Sequence, residues 1–244
     1  MTVDPKAAEE RATRVLGVYD ESAGVKTFRL SVPETFSFSP GMWIMLEFPD
    51  RREHAGAYSI ASAPLERGYI EISLCRVGPL TERLFALRGG ETLMMRGPFG
   101  KWVYDDAARH AILISDGTGL APFRSIARYV LGKELPNRLA IFHSARTPDL
   151  FFYEKDLARF EAAGIKVYRT ITHPELMAPG QTWAGPHGAI DIEVVEKVVP
   201  DFASAHFFLC GPKTLVERLN ESLLARDVPR EAIHYEKWGD YQWA

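Results

Sequence analysis

A chain of 244 residues, 46% hydrophobic and 25% charged, has ordinary globular composition and the length of one large domain or of two of about 100–150 residues. A formal net charge of -3, with no Lys/Arg run interleaved with aromatics, speaks against nucleic-acid binding. The longest apolar stretches, such as Ala111–Ser115 and His206–Cys210, fall far short of the ~20 residues of a membrane span, and the acidic opening MTVDPKAAEERA lacks the apolar core of a secretory signal.

Two cysteines, Cys75 and Cys210, are too few for a disulfide framework or an iron–sulfur site. The expectation is a reducing cytoplasm, with any iron–sulfur centre on another protein. Met1–Arg11 is polar and reads as a loose tail. From there to about residue 100 the chain is a series of short apolar runs: Val15–Tyr19, Lys26–Val32, Met42–Phe48, Tyr58–Ala61, Tyr69–Val77 and Thr92–Arg96. Turn residues separate them, at Asp20–Gly24, Ser39–Gly41, Pro49–Gly56 and Gly89–Gly90, and Thr81–Leu87 fits one short helix. Strands at this spacing predict a small barrel or sandwich.

The rhythm changes at His110. Strands at Ala111–Ser115, Leu139–His143, Lys166–Thr172, Ala205–Leu209 and Ile233–Glu236 alternate with helices at Ala121–Leu131, Phe151–Ala162, Ile190–Val199 and Lys213–Ala225. Such alternation predicts a doubly wound parallel sheet, with ligands at the carboxyl ends of its strands. The division falls near Lys101–Arg109, giving domains 1–103 and 104–244. A nucleotide on the second domain is then expected to face the first.

Five motifs carry chemistry. Gly117-Thr118-Gly119 leaves a buried strand and runs into a helix with Pro122 in its first turn, where proline loses no hydrogen bond. Glycines admit a phosphate to the backbone and helix amides attract it, but the same turn serves equally well without a ligand. Cys210-Gly211-Pro212 ends another buried strand; on its own, Cys210 reads as a small buried side chain. Tyr58-Ser59-Ile60-Ala61-Ser62 offers a flat aromatic face and a hydroxyl, although alternation in an ordinary strand explains it as simply. Gly97-Pro98-Phe99-Gly100 marks a tight turn. The tail is dense in aromatics, Tyr235, Trp238, Tyr241 and Trp243, which either pack on a cofactor or partner or cover a sheet edge, the second reading leading for Tyr241 and Trp243. The histidines show no metal-ligand spacing, and no metal is expected.

In this order the motifs resemble the ferredoxin–NADP reductase superfamily, from about Thr13 to Trp238. The resemblance implies a six-stranded antiparallel flavin-binding barrel, holding FAD or less often FMN, followed by a nucleotide-binding domain for NADH or NADPH. The family's Arg-x-Tyr-Ser motif falls on Gly56-Ala57-Tyr58-Ser59. Tyr58 would lie against the flavin ring, Ser59 near its reacting nitrogen, and Ile60 and Ala61 would continue that strand. Val77, Gly78, Leu80 and Thr81 match the turn that holds flavin phosphate. Gly117, Thr118, Gly119 and Pro122 would bind the nicotinamide nucleotide, and Cys210, Gly211 and Pro212 its nicotinamide end. Glu236 resembles the family's carboxylate near the flavin, and Trp238 joins the cofactor set.

Ser59, Cys210 and Glu236 are thus the expected catalytic residues. Two departures stand out. Gly56 replaces the arginine that pairs with the flavin pyrophosphate, a contact worth about 1.5–3 kcal/mol, with Arg51, Arg52, His54 and Arg83 as substitutes. Thr172-His173-Pro174 stands where NADP users often have Ser-Arg; Arg146 is a candidate 2′-phosphate partner, but an arginine there also occurs in NAD users of the family, so the choice stays open with a lean to NADH. Asp116 is unusual beside a phosphate, because like charges repel. The implied activity is electron transfer between NAD(P)H and a ferredoxin or oxygenase component through FAD. The alternatives are a flavin reductase with exchangeable flavin and a nucleotide-binding electron-transfer subunit whose flavin site has decayed.

Overall fold

The computed structural model describes residues 10–100 and 102–239, and leaves the side chains of Arg52, Glu53 and His54 undescribed. Most of the opening tail, Tyr241 and Trp243, and the side chains of Arg52 and His54 therefore lie outside the described residues. The chain forms two compact units, Met1–Tyr104 with Ala121–Lys133, and Asp105–Leu120 with Glu134–Ala244.

In the first unit six strands, β1 (Glu10–Ser22), β2 (Val25–Ser31), β3 (Trp43–Phe48), β4 (Arg51–Ser59), β5 (Tyr69–Cys75) and β6 (Thr92–Phe99), form an antiparallel sheet in the order β4-β3-β6-β1-β2-β5. The two outer strands meet beyond the end of β4, where Ile60 bridges Ile72 and the Ala61 amide donates to the Glu71 carbonyl at 2.7 Å. This seam closes the sheet into the expected barrel. Alternate residues point inward, and Phe28, Leu30, Ile44, Leu46, Ile60, Ile70, Ile72, Leu93 and Met95 fill the interior. The short helix α1 (Pro79–Phe85) caps it with Leu84 and Phe85.

Three local expectations are corrected here. Glu10 and Arg11, read as tail, pair with Arg96 and Met95 as the start of β1. Most of Pro49–Gly56, read as a turn on its polar composition, is strand: Phe48 pairs with Arg51 and Leu46 with Gly56, so backbone pairing to β3 overrides the side-chain pattern. Gly97-Pro98-Phe99 is the end of β6 rather than a turn, with Gly97 at φ 131° absorbing a register shift opposite Trp43–Met45 and Phe99 packed 4.9 Å from Trp43.

The second unit holds five parallel strands, β7 (His110–Asp116), β8 (Arg138–Ala145), β9 (Lys166–Ile171), β10 (His206–Pro212) and β11 (Ile233–Trp238), in the order β11-β10-β7-β8-β9. Helices α4 (Ile192–Val198) and α5 (Lys213–Leu224) cover the face made by Ile112, Ile114, Phe142, Phe207 and Leu209. The opposite face carries Ser115, His143 and Cys210. The chain before α3 (Glu154–Ala162) packs Phe151 and Phe152 edge-on against His143 on this face. Phe151–Tyr153 was expected to be helical. It lies outside the helix: Phe151 is extended, and Tyr153 takes the left-handed conformation at φ 60° and caps a helix that starts only at Glu154. Helix α2 (Leu120–Gly132) leaves β7 through the glycine turn, and from Ala121 onward it belongs to the first unit.

Candidate functional sites in the two units

The Tyr58–Ala61 segment is the last part of β4 and the start of the barrel seam. Tyr58 and Ser59 are half-buried, whereas Ile60 and Ala61 are fully buried. A side chain at Gly56 would place its Cβ 2.5 Å from the Tyr58 hydroxyl, so the tyrosine ring lies across the position where the related motif has arginine. Of the substitutes, Arg83 is tied to Asp50 at 2.9 Å and stacked 3.8 Å over Phe48, which places it beside the β3–β4 hairpin.

The Gly78–Thr81 turn is held together by Thr81. Its hydroxyl accepts from the Val77 and Gly78 amides at 2.8 and 3.0 Å and donates to the Gly78 carbonyl at 2.9 Å. That hydroxyl is fully used within the turn, so an anion here would have to be met by backbone amides at the start of α1. Gly78 has open space where a Cβ would stand, and Val77 beside it is exposed. An open backbone turn and a half-buried aromatic strand fit a flavin's phosphate and its ring.

In the second unit, Gly117 adopts φ 49° with nothing within 4 Å of where a Cβ would project. Gly119 is the reverse: a Cβ there would lie 2.1 Å from the Cys210 carbonyl oxygen and 3.0 Å from the Trp238 ring. Only glycine allows this turn to close on β10, and the result is a bare backbone cradle, open on one side, that fits a nucleotide pyrophosphate. Register brings four further side chains into one row across the sheet, with Glu236 beside Cys210, Cys210 beside Ser115 and Ser115 beside His143. Cys210, Glu236, Trp238 and Gly119 are thereby gathered at the carboxyl ends of β10 and β11. Arg146 lies just beyond the end of β8, near enough to act on the charge of Asp116.

Electrostatics follow from burial. The Cys210 thiol is pushed well up by burial and then by Glu236, so it stays protonated at neutral pH. Burial also raises the Asp116 carboxyl above its ordinary range, against a 2.6 Å hydrogen bond donated by Ser144. His143 is fully buried, and burial first, then Arg169, pushes it down to about 3. It is a neutral imidazole with Nδ1 3.0 Å from the Ser115 hydroxyl and no hydrogen-bond partner at Nε2 among the described residues.

One cluster had no place in the sequence reading. Glu71 on β5 is almost fully buried and binds Arg124 of α2 at 2.6 Å through one oxygen and Arg29 at 2.8 Å through the other. Burial would raise its pKa, but the two arginines outweigh it and hold the carboxylate below the ordinary range. An Arg inside the apolar stretch Ala121–Leu131 and a Glu inside Tyr69–Val77 were the available signal, since a buried charge requires a partner.

Residues 13–104 match the family described as oxidoreductase FAD-binding domain, and residues 113–221 that described as oxidoreductase NAD-binding domain. The glycine betaine monooxygenase reductase subunit of Pseudomonas aeruginosa is 27% identical, covering 98% of this chain and 67% of its own length. Ferredoxin–NADP reductase B of Sorangium cellulosum is 30% identical, covering 95% of this chain and 98% of its own. Among solved structures, the cytochrome P450 reductase GcoB of Amycolatopsis superposes with a TM-score of 0.83 at 24% identity, over 96% of this chain and 72% of that one. Two domain matches in this order and a relative aligned over nearly its whole length lead to one conclusion: the chain is an oxidoreductase of the ferredoxin–NADP reductase superfamily, with an FAD-binding domain followed by an NAD-binding domain.

Proposed function

We propose that the chain is a reductase that moves electrons between NADH or NADPH and a separate protein acceptor, a ferredoxin or an oxygenase component, by way of FAD. The observation that carries this reading is the glycine turn closed on Cys210 and Trp238, a nucleotide cradle in a chain that also has an FAD-binding domain. The relatives named as reductase components of oxygenase systems support the choice of acceptor.

When bound, FAD supplies a store for two electrons that is discharged singly or as a pair. Tyr58 would lie against the flavin ring, Ser59 would hydrogen-bond its reacting edge, and Ile60 and Ala61 would continue the supporting strand. Backbone amides at the start of α1 would take the flavin phosphate, with Val77 and Gly78 leaving the approach open. Gly117, Thr118 and Gly119 would take the nucleotide pyrophosphate at the start of α2, where Pro122 sits in the first turn at no cost in hydrogen bonds. Arg146 contacts the ribose end. Cys210, Gly211, Pro212 and Trp238 bind the nicotinamide end, the thiol staying neutral, and Glu236 provides the nearby carboxylate. Domains 1–103 and 104–244 are the sequence units that carry these roles. A cytoplasmic setting suits two free cysteines, and no helix among the described residues is long and apolar enough to cross a membrane.

The test is the absorption spectrum of the protein with added FAD, followed by anaerobic mixing with NADH and with NADPH. Bleaching of the bound flavin by either nucleotide supports the reading. Bound flavin that neither nucleotide bleaches refutes it, and protein that takes up no FAD yet binds NAD(P)H is a nucleotide-binding subunit instead. The Tyr58 ring lying across Gly56 favours a second reading, a flavin reductase with exchangeable flavin. Turnover with added FMN and no protein partner would select it.

A further inference from the structure

We infer that Arg124 and Ser125 on α2 are positioning residues for the flavin-binding strand, acting through the carbonyls of Ala61 and Ser62. This rests on the reading of Tyr58–Ala61 as the flavin strand. At Ser59 the chain leaves its partner β3: Ile60 still donates to Met42 at 2.9 Å, but Ala61 already donates to Glu71 on β5 at 2.7 Å. The crossing is short, and its carbonyls take their donors from a helix. Arg124 donates to the Ala61 carbonyl at 3.3 Å and Ser125 to the Ser62 carbonyl at 2.6 Å.

The Arg124 clamp is itself held, and a second pair ties the next residues to α2. Arg124 is anchored by Glu71, whose backbone amide donates to the Ser62 hydroxyl at 3.0 Å. One turn further along α2, Arg128 binds Glu66 at 2.9 Å, and Glu66 accepts from the Ala63 amide at 2.6 Å. Four successive residues, Ile60 to Ala63, are thus fixed by α2 and β5 together with Met42. Stability alone does not call for this arrangement, because a buried ion pair is commonly replaced by apolar side chains at little cost. What the network adds is a fixed path for the two residues just before it, Tyr58 and Ser59.

Three full-length variants test this: Ser125→Ala, Arg124→Lys, and the double variant Arg124→Met with Glu71→Met, which removes both charges at once. Each is titrated with FAD by flavin fluorescence and then mixed anaerobically with NADH at saturating FAD. The double variant is expected to keep a cooperative thermal transition while its FAD dissociation constant rises about tenfold. The maximal rate of flavin bleaching should fall, with the NADH concentration for half-maximal rate unchanged. Arg124→Lys should recover part of both losses, and Ser125→Ala should shift both in the same direction by a smaller factor. Folded variants whose FAD affinity and bleaching rate equal those of the wild type would overturn the inference. If the double variant does not fold, Ser125→Ala decides alone by the same two readouts. Wild-type protein that takes up no FAD would instead sink the functional reading, and the inference with it.

Discussion

His143 gives this protein a specific weakness to mild acid. In the unfolded chain a histidine takes a proton near pH 6.5, whereas in the folded state this one resists it down to about 3. Between those values the unfolded state binds a proton that the folded state refuses, so stability falls as pH falls. From pH 7 to pH 5 the loss is set by the unfolded value alone, because at pH 5 the buried ring is still neutral. It amounts to about 2 kcal/mol, from roughly 1.4 kcal/mol per pH unit over about one and a half units. His143→Gln keeps an amide to meet the Ser115 hydroxyl and cannot titrate. Urea unfolding of both proteins at pH 7 and pH 5 measures the difference. His110 and His234, also lowered by burial, act in both proteins alike and cancel. The wild type should lose about 2 kcal/mol more than the variant over this interval, and equal losses would refute the assignment of a neutral buried ring.

Other expectations follow from single contacts. Gly119→Ala sets a methyl 2.1 Å from the Cys210 carbonyl, so NAD(H) binding should be lost and stability should drop by about 1–3 kcal/mol. Gly117→Ala meets no atom and should cost only about 1–2 kcal/mol for its left-handed backbone; calorimetric binding and chemical denaturation separate the two cases. Glu71→Gln leaves Arg124 buried without its carboxylate and should lower stability by about 3–5 kcal/mol, read as a fall in urea midpoint. Because the Glu71 carboxylate is held below its ordinary range, its wild-type contribution is complete above about pH 4.5 and is lost as pH falls further, a loss the variant should not show. Alkylation at pH 8 followed by peptide mass mapping should find Cys75 modified well before the buried Cys210 thiol.

Much of the fold was legible because burial writes itself into periodicity. The apolar runs of the barrel and the alternation after His110 each led to an observed element, and the glycine turn was placed by its position between strand and helix. Most of the misses share a cause: the deciding partner was distant in sequence. Arg51–Gly56 looks like a loop until β3 supplies its hydrogen bonds, and Gly97–Phe99 looks like a turn until a register shift opposite draws it into β6. Tyr153 stops a helical pattern through its own backbone angle. In the sites, glycine and cysteine positions could be read from local spacing. The Glu71–Arg124 pair, 53 residues apart, could not, since nothing local says which buried arginine meets which buried glutamate.

The seam between β4 and β5 has a dynamic consequence. Every other strand junction of the barrel is a ladder of several residues, whereas here the backbone pairing is only the Ile60–Ile72 bridge and the Ala61 amide, and side chains complete the join: Arg124 ties the Ala61 carbonyl to Glu71, and the Ser62 hydroxyl accepts from the Glu71 amide. With the Arg124–Glu71 clamp removed, such a junction becomes the cheapest place for the cylinder to unzip, so breathing should concentrate there and amide exchange at Ala61 should then outpace that in the middle of β2. A ligand that spans the zip line would then act as its fastener, slowing that exchange without touching the rest of the wall.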